Sequence, residues 1–188
     1  MTWLIAGLGN PGPAYAATRH NVGYLVTDVL AARMGGSWSS HRKSRTDIVE
    51  GRLDGERVVL GRSRSYMNDS GGPLKALAGF FDIDVEHVVV IHDELDIDFG
   101  RLRVKRGGGD NGHNGLKSLR GSLGTGDFYR VRVGIGRPPG QQTVHDFVLK
   151  AWSSVEKKEL PINVEEAADA TCSLITRGLE ATQSAFNR

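Results

Sequence analysis

Short apolar runs alternate along this chain with stretches whose apolar residues recur every three or four positions, and few folds accommodate that alternation. Residues 2–6, 58–60 and 88–91 are the runs. Each is too short for a helix and reads as a buried strand. Val22, Leu25, Val26, Val29 and Leu30 keep helical spacing until Gly35-Gly36 ends the pattern. A second helix is predicted from about Gly72-Pro73, where proline suits the first turn, through Leu74, Leu77, Ala78 and Phe81. A third begins near Asn114 and carries Leu116, Leu119 and Leu123 on one stripe. Val164, Ala167, Ala168, Leu174 and Ile175 predict a long C-terminal helix starting after Pro161. Residues 101–105 and 130–133 alternate basic and apolar side chains with period two, as half-buried strands with their charges on one face. The expected architecture is α/β, a mixed twisted sheet flanked by helices with a C-terminal helix, in a single domain spanning 1–188.

Composition narrows the classes of function. With 39% hydrophobic and 24% charged residues the chain reads as soluble and globular, not disordered. A lone cysteine, Cys172, excludes an internal disulfide and a cysteine-based metal site, which points to the cytoplasm. The first residues lack a basic segment and a long apolar stretch, so neither export nor a membrane partner is expected. No heptads or long apolar stripe demand a second chain, and a monomer is expected. A net charge of +2 is too mild to establish a nucleic-acid partner, so the placement of the charges has to decide.

Polar residues stand just after strands and just before helices at several separate points: Asn10, His20 with Asn21, Asn68, Asp93 and Asn114. In an open α/β sheet such points gather along the carboxyl edge, where ligands bind. Each alone could be a helix cap, and together they could build one site. His20 is the natural general base, because imidazole titrates near neutrality, and Asp93 could fix its tautomer as in the His-Asp half of a hydrolase triad. No serine or cysteine stands out as a third member, which leaves water as the nucleophile. Gly7-Leu8-Gly9-Asn10-Pro11-Gly12 satisfies the dinucleotide-binding pattern formally, but Pro11 and Pro13 fall where its helix should already run. The acidic run at residues 92–98 fits no calcium-loop spacing and reads as a solvated turn, so no metal and no cofactor are expected. Arg101, Arg103 and Lys105 share a strand face, with Lys117 and Arg120 nearby on the third helix; they could form a phosphate-binding strip or an ordinary solvated face. The basic segment 41–45 reads as a loop with the same two alternatives.

Taken together, six segments in order resemble one family, the bacterial peptidyl-tRNA hydrolases. They are Gly7-Leu8-Gly9-Asn10-Pro11-Gly12 with Tyr15, Thr18-Arg19-His20-Asn21-Val22-Gly23, Tyr66-Met67-Asn68-Asp69-Ser70-Gly71, His92-Asp93-Glu94-Leu95-Asp96, Gly107-Gly108-Gly109 through His113-Asn114-Gly115-Leu116, and Arg132-Val133-Gly134-Ile135-Gly136-Arg137-Pro138. The resemblance implies hydrolysis of the ester joining a peptide to the 3′ ribose of tRNA, with peptidyl-tRNA as the partner. In that reading His20 activates water, Asp93 holds His20 in its basic form, and Asn10 helps distinguish N-blocked substrates. Asn68 and Asn114 bond substrate or water, Tyr15, Tyr66, Met67 and His113 contact the substrate, and Arg103, Lys105 and Arg132 meet tRNA phosphate. This chain departs from the family pattern at Arg62-Ser63 and at Asp110-Asn111. A non-catalytic RNA-binding relative with the same fold is the competing expectation.

Overall fold

The apolar run at residues 88–91 becomes the spine of the protein. In the computed structural model, which describes residues 1–187, it lies in β5 (Val88–Glu94), and all seven residues of that strand are buried. A strand buried on both faces and continuously apolar is what a parallel sheet covered by helices requires. β1 (Thr2–Gly7), β4 (Glu56–Ser63) and β7 (Tyr129–Gly134) run parallel with it. β2 (Ser39–His41), β3 (Thr46–Leu53) and β6 (Leu102–Arg106) add antiparallel, giving a mixed seven-stranded sheet of order β2-β3-β4-β1-β5-β7-β6.

Period two divides the strand residues between two cores. Leu4 and Ala6 face Leu74 and Leu77 of α2 (Gly71–Phe80) and Leu116 and Leu119 of α3 (Asn114–Leu123). Ile5 faces the opposite side, with Val26 and Leu30 of α1 (Val22–Arg33) and Ala167 and Leu174 of α5 (Ser154–Arg177). Each of the valine, leucine and isoleucine side chains contributes about 1.5–3 kcal/mol by leaving water, so the two cores hold the carboxyl edge of the sheet in place. Gly9 of the first motif and Gly23 of the second serve close packing. A Cβ on Gly9 would lie 2.8 Å from the Tyr24 ring, and one on Gly23 would lie 2.5 Å from the Ile91 carbonyl oxygen, so α1 presses directly on the ends of β1 and β5.

Several expectations need correction. The C-terminal helix does not start after Pro161 but at Ser154, because Ser153 and Glu156 form a capping box; Pro161 sits inside it. Lys157, whose carbonyl loses its partner to Pro161, is exposed, so water can satisfy it. The helix then stops at Gly178 (φ 88°), and α6 (Leu179–Phe186) turns back along β6. The segment 41–45 is a loop as expected except at His41, which ends β2; residues 42–45 turn into β3, with Ser44 buried between His41 and Thr46. The charges of residues 130–133 are not all on a solvated face, since Arg130 is 1% exposed and donates to the carbonyls of Gly108, Gly109 and Gly126. The run at 92–98 is only partly a solvated turn, because Asp93 and Glu94 end β5 and are buried. Among the described residues no helix is long and apolar enough to cross a membrane.

Candidate active site

Four chain segments converge beyond the carboxyl ends of β1 and β5. The loop after β1 supplies Asn10, the 3-10 turn Arg19–Asn21 supplies His20, the 3-10 turn Met67–Asp69 supplies Asn68, and the start of α3 supplies Asn114. With Asp93 of β5 they line a groove of about 490 Å³. Tyr15 and Tyr66 stand at its mouth, edge to face at 5.9 Å, and Tyr66 is 58% exposed.

The turn that carries His20 is pinned from behind. Arg19 is buried, its guanidinium bonds the Phe147 carbonyl at 3.2 Å and Glu156 at 2.6 Å, and its ring contact is with Phe147. His20 Nδ1 then meets Asp93 Oδ2 at 2.8 Å. A carboxylate only accepts, so Nδ1 carries the proton and the lone pair of Nε2 is left toward the groove. Burial by itself lowers the pKa of His20, but the charge of Asp93 and its hydrogen bond outweigh burial and raise it above the ordinary 6.5. Asp93 is fully buried, which opposes ionisation, yet His20 and His113 together hold its carboxyl far below the usual carboxylate range.

Asn10 is fixed by its neighbours. Its backbone N–H donates to Asn21 Oδ1 at 2.8 Å, Asn21 Nδ2 donates to its carbonyl at 2.9 Å, and its own Oδ1 accepts from the Met67 N–H at 2.7 Å. Because a backbone N–H can bond only the amide oxygen, the orientation of the carboxamide is determined and Nδ2 remains the free donor. Asn68 and Asn114 are exposed and line the same groove. Three carboxamides therefore line the same groove as His20. Met67 borders the groove but is 2% exposed, and a Cβ on Gly115 would lie 2.5 Å from its sulfur, so its side chain belongs to the core more than to a binding surface.

Sequence reasoning placed Asn21 beside His20 but gave it no role, although Asn10 depends on it, and it missed the whole wall formed by α4 (Val144–Val148). That helix brings Val144, His145 and Val148 to the groove. A cap signal was present, since Thr143 precedes Asp146 by three and accepts its N–H at 3.1 Å.

Arg103, Lys105 and Arg132 do not line the groove. They form a strip on β6 and β7, where Arg103 pairs with Arg132 and Lys105 with Arg130 across the strands. Arg132 is already engaged by Glu94 Oε1, through Nε at 3.1 Å and Nη2 at 3.0 Å. Arg103 is exposed and makes no ion pair among the described residues. Burial first, then the neighbouring Arg132 and Arg130 charges, lower the pKa of Lys105. The two departures from the family pattern are tied into the protein itself. Arg62 bonds Asp28 and stacks on Trp38, while Asn111 (φ 51°) donates to Asp96 at 2.7 Å.

His20, Asp93 and His113 present one possible ligand atom each within 4.8 Å of one another. Their donor pattern does not suit a cation. His113 Nδ1 accepts from the Gly115 and Leu116 N–H groups at 3.1 and 3.3 Å, so its proton is on Nε2, the atom that would have to bind the metal. Ligating histidines are normally arranged the other way, with the second nitrogen donating.

Comparison with known proteins assigns the chain to a family. The family model described as Peptidyl-tRNA hydrolase matches residues 4–188. A peptidyl-tRNA hydrolase of Rhodococcus erythropolis is 58% identical over 183 residues, covering 97% of this chain and 96% of that protein. One from Frankia casuarinae is 56% identical over 185 residues, covering 98% and 93%. The crystal structure of peptidyl-tRNA hydrolase from Acinetobacter baumannii superposes with a TM-score of 0.91 at 33% identity, covering 97% of this chain and 93% of that one. The chain belongs to the peptidyl-tRNA hydrolase family.

Proposed function

We propose that this protein is an enzyme that hydrolyses the ester between a peptide, or an N-blocked aminoacyl group, and the 3′ ribose of tRNA. The observation that carries the reading is the His20–Asp93 contact of 2.8 Å at the base of a groove that also presents Asn10, Asn68 and Asn114. Nε2 of His20 takes a proton from water as the water oxygen attacks the ester carbonyl, and His20 becomes imidazolium beside the Asp93 carboxylate. Carboxamide N–H groups donate to the oxygen that gains charge, a contribution worth about 3 kcal/mol for one well-placed donor. The imidazolium returns its proton to the departing ribose oxygen, leaving a free 3′ hydroxyl and a peptide carboxylic acid, which releases its own proton to bulk water.

Asn10, with Nδ2 as its free donor, is placed to bond the acyl group near the reacting carbon and contributes to selecting blocked substrates. Val144, Val148 and Leu149 offer the peptide an apolar wall. Arg103, Lys105 and Arg132 attract the RNA backbone, and the protein acts as a monomer in the cytoplasm. The test is release of labelled N-acetyl-aminoacyl groups from tRNA, with and without EDTA, beside unacetylated aminoacyl-tRNA. EDTA-insensitive cleavage of the blocked ester, nearly lost in His20→Ala, is expected. Binding of tRNA with no cleavage by the native protein overturns the reading in favour of a non-catalytic RNA-binding member.

A further inference from the structure

We infer that His113 is a positioning residue for the His20 base and not a substrate contact: the N-terminus of α3 fixes its tautomer so that it can only donate to Asp93. This rests on the reading of His20 as the base.

His113 is the N-cap of α3, and its Nδ1 accepts from the N–H groups of Gly115 and Leu116 at 3.1 and 3.3 Å. Those donors require Nδ1 to be unprotonated. Nε2 therefore carries the proton and donates to Asp93 Oδ1 at 2.7 Å. A flipped ring would turn carbon atoms toward both the helix and the carboxylate, so only one orientation satisfies the contacts. Packing enforces it as well. His113 lies between His20 and His92, with ring centroids 5.0 and 5.1 Å away, and its side chain is 10% exposed.

Asp93 thus accepts from two imidazoles, one on each oxygen. This sets the plane of the carboxylate so that Oδ2 meets His20 Nδ1. It also divides the negative charge that would otherwise bear on His20 alone, which limits how far His20 is raised and keeps its basic form populated near neutrality. The other ionisable groups around the trio do not compete. His92 is fully buried, donates its Nδ1–H to the Asp93 carbonyl at 2.8 Å, and is pushed down to about 3, chiefly by burial and then by His113, so it stays uncharged. Glu94 is held by Arg132, and Arg130 by glycine carbonyls.

Two substitutions separate the cap from the donor. His113→Asn puts an oxygen where Nδ1 stood and keeps the cap, but it has no N–H that reaches Asp93. His113→Gln carries an N–H to the position of Nε2 and gives up the cap. Steady-state cleavage of N-acetyl-aminoacyl-tRNA by full-length protein across pH, with the thermal midpoint of each variant, distinguishes them. For His113→Asn the expected result is a midpoint lowered by the unpaired Asp93 oxygen, an unchanged KM, kcat lower by about tenfold, and an acid limb moved up by about half a pH unit or more. His113→Gln is expected to lower the midpoint and leave the acid limb where it is in the native protein. Nitrogen NMR of the native imidazoles should show the Nε2–H tautomer for His113. A native kcat and acid limb in His113→Asn, or an Nδ1–H tautomer, overturns the inference. If His20→Ala retains native activity, the base assignment fails instead, which separates the two failures.

Discussion

Single residues divide the work around one carboxylate. Asp93 keeps the proton of His20 on Nδ1, so Asp93→Asn should reverse that tautomer, because the new amide can donate to Nδ1 and leave Nε2 protonated. A loss in kcat of about 10³–10⁴, with little change in KM, is expected from steady-state cleavage. The native pH profile follows from the sign of the shift on His20. The base works unprotonated and its pKa is raised above 6.5, so kcat/KM should climb with pH through a midpoint above that value. A midpoint below it would mean that burial, not Asp93, dominates. Asn21 acts one step further out. Asn21→Ala removes both bonds that hold the Asn10 backbone and leaves buried groups unpaired, at a cost of about 1–3 kcal/mol. Calorimetry should show the lowered midpoint, and selectivity for blocked over free aminoacyl-tRNA should fall with it. His20, Asp93 and the three asparagines were legible in the sequence because each stands at a strand end or helix start. Asn21 stood at the same helix start, but its role was not legible, since it lies in two bonds to a backbone eleven positions away.

Elements position these residues through a few joints. Glu156 Oε1 accepts from both the Ser153 N–H and Arg19 Nη2, so one carboxylate closes the capping box of α5 and anchors the turn that carries His20. Glu156→Ala should cost about 2–3 kcal/mol and reduce kcat, whereas Ser153→Ala should cost about 1 kcal/mol and leave activity alone. Equal effects on kcat would mean that the anchor is not transmitted to His20. The Ser153…Glu156 spacing is a capping-box signal in the sequence, but Pro161 also suits a first turn and so predicts a later start. The four parallel strands were visible as runs of valine, isoleucine and leucine or as alternation. β3 was not: Asp47, Glu50 and Arg52 interrupt its apolar pattern, and pairing with β4 along Thr46–Leu53 supplies what local preference lacks. α4 is five residues long, below the length at which helical periodicity can be recognised.

The whole molecule places a carboxamide-lined groove at the carboxyl edge of a sheet whose two cores leave that edge little freedom. The basic strip on β6 and β7 lies beside the groove, and its charges are unequal in availability. Arg103 is free of ion pairs among the described residues while Glu94 neutralises Arg132. Arg103→Ala should therefore raise KM more than Arg132→Ala, and should flatten the dependence of log KM on log salt by close to one unit, about 0.7–0.9. Equal slopes for both variants would place the RNA elsewhere. The proposal as a whole depends on His20 as the base that activates water. Single-turnover cleavage of N-acetyl-aminoacyl-tRNA by the native protein and by His20→Ala, measured across pH, tests it most directly. The native rate should follow one ionisation, and the residual rate of His20→Ala, lower by about 10³ or more, should rise only in proportion to hydroxide. A His20→Ala protein that keeps the native rate and the same acid limb would contradict it.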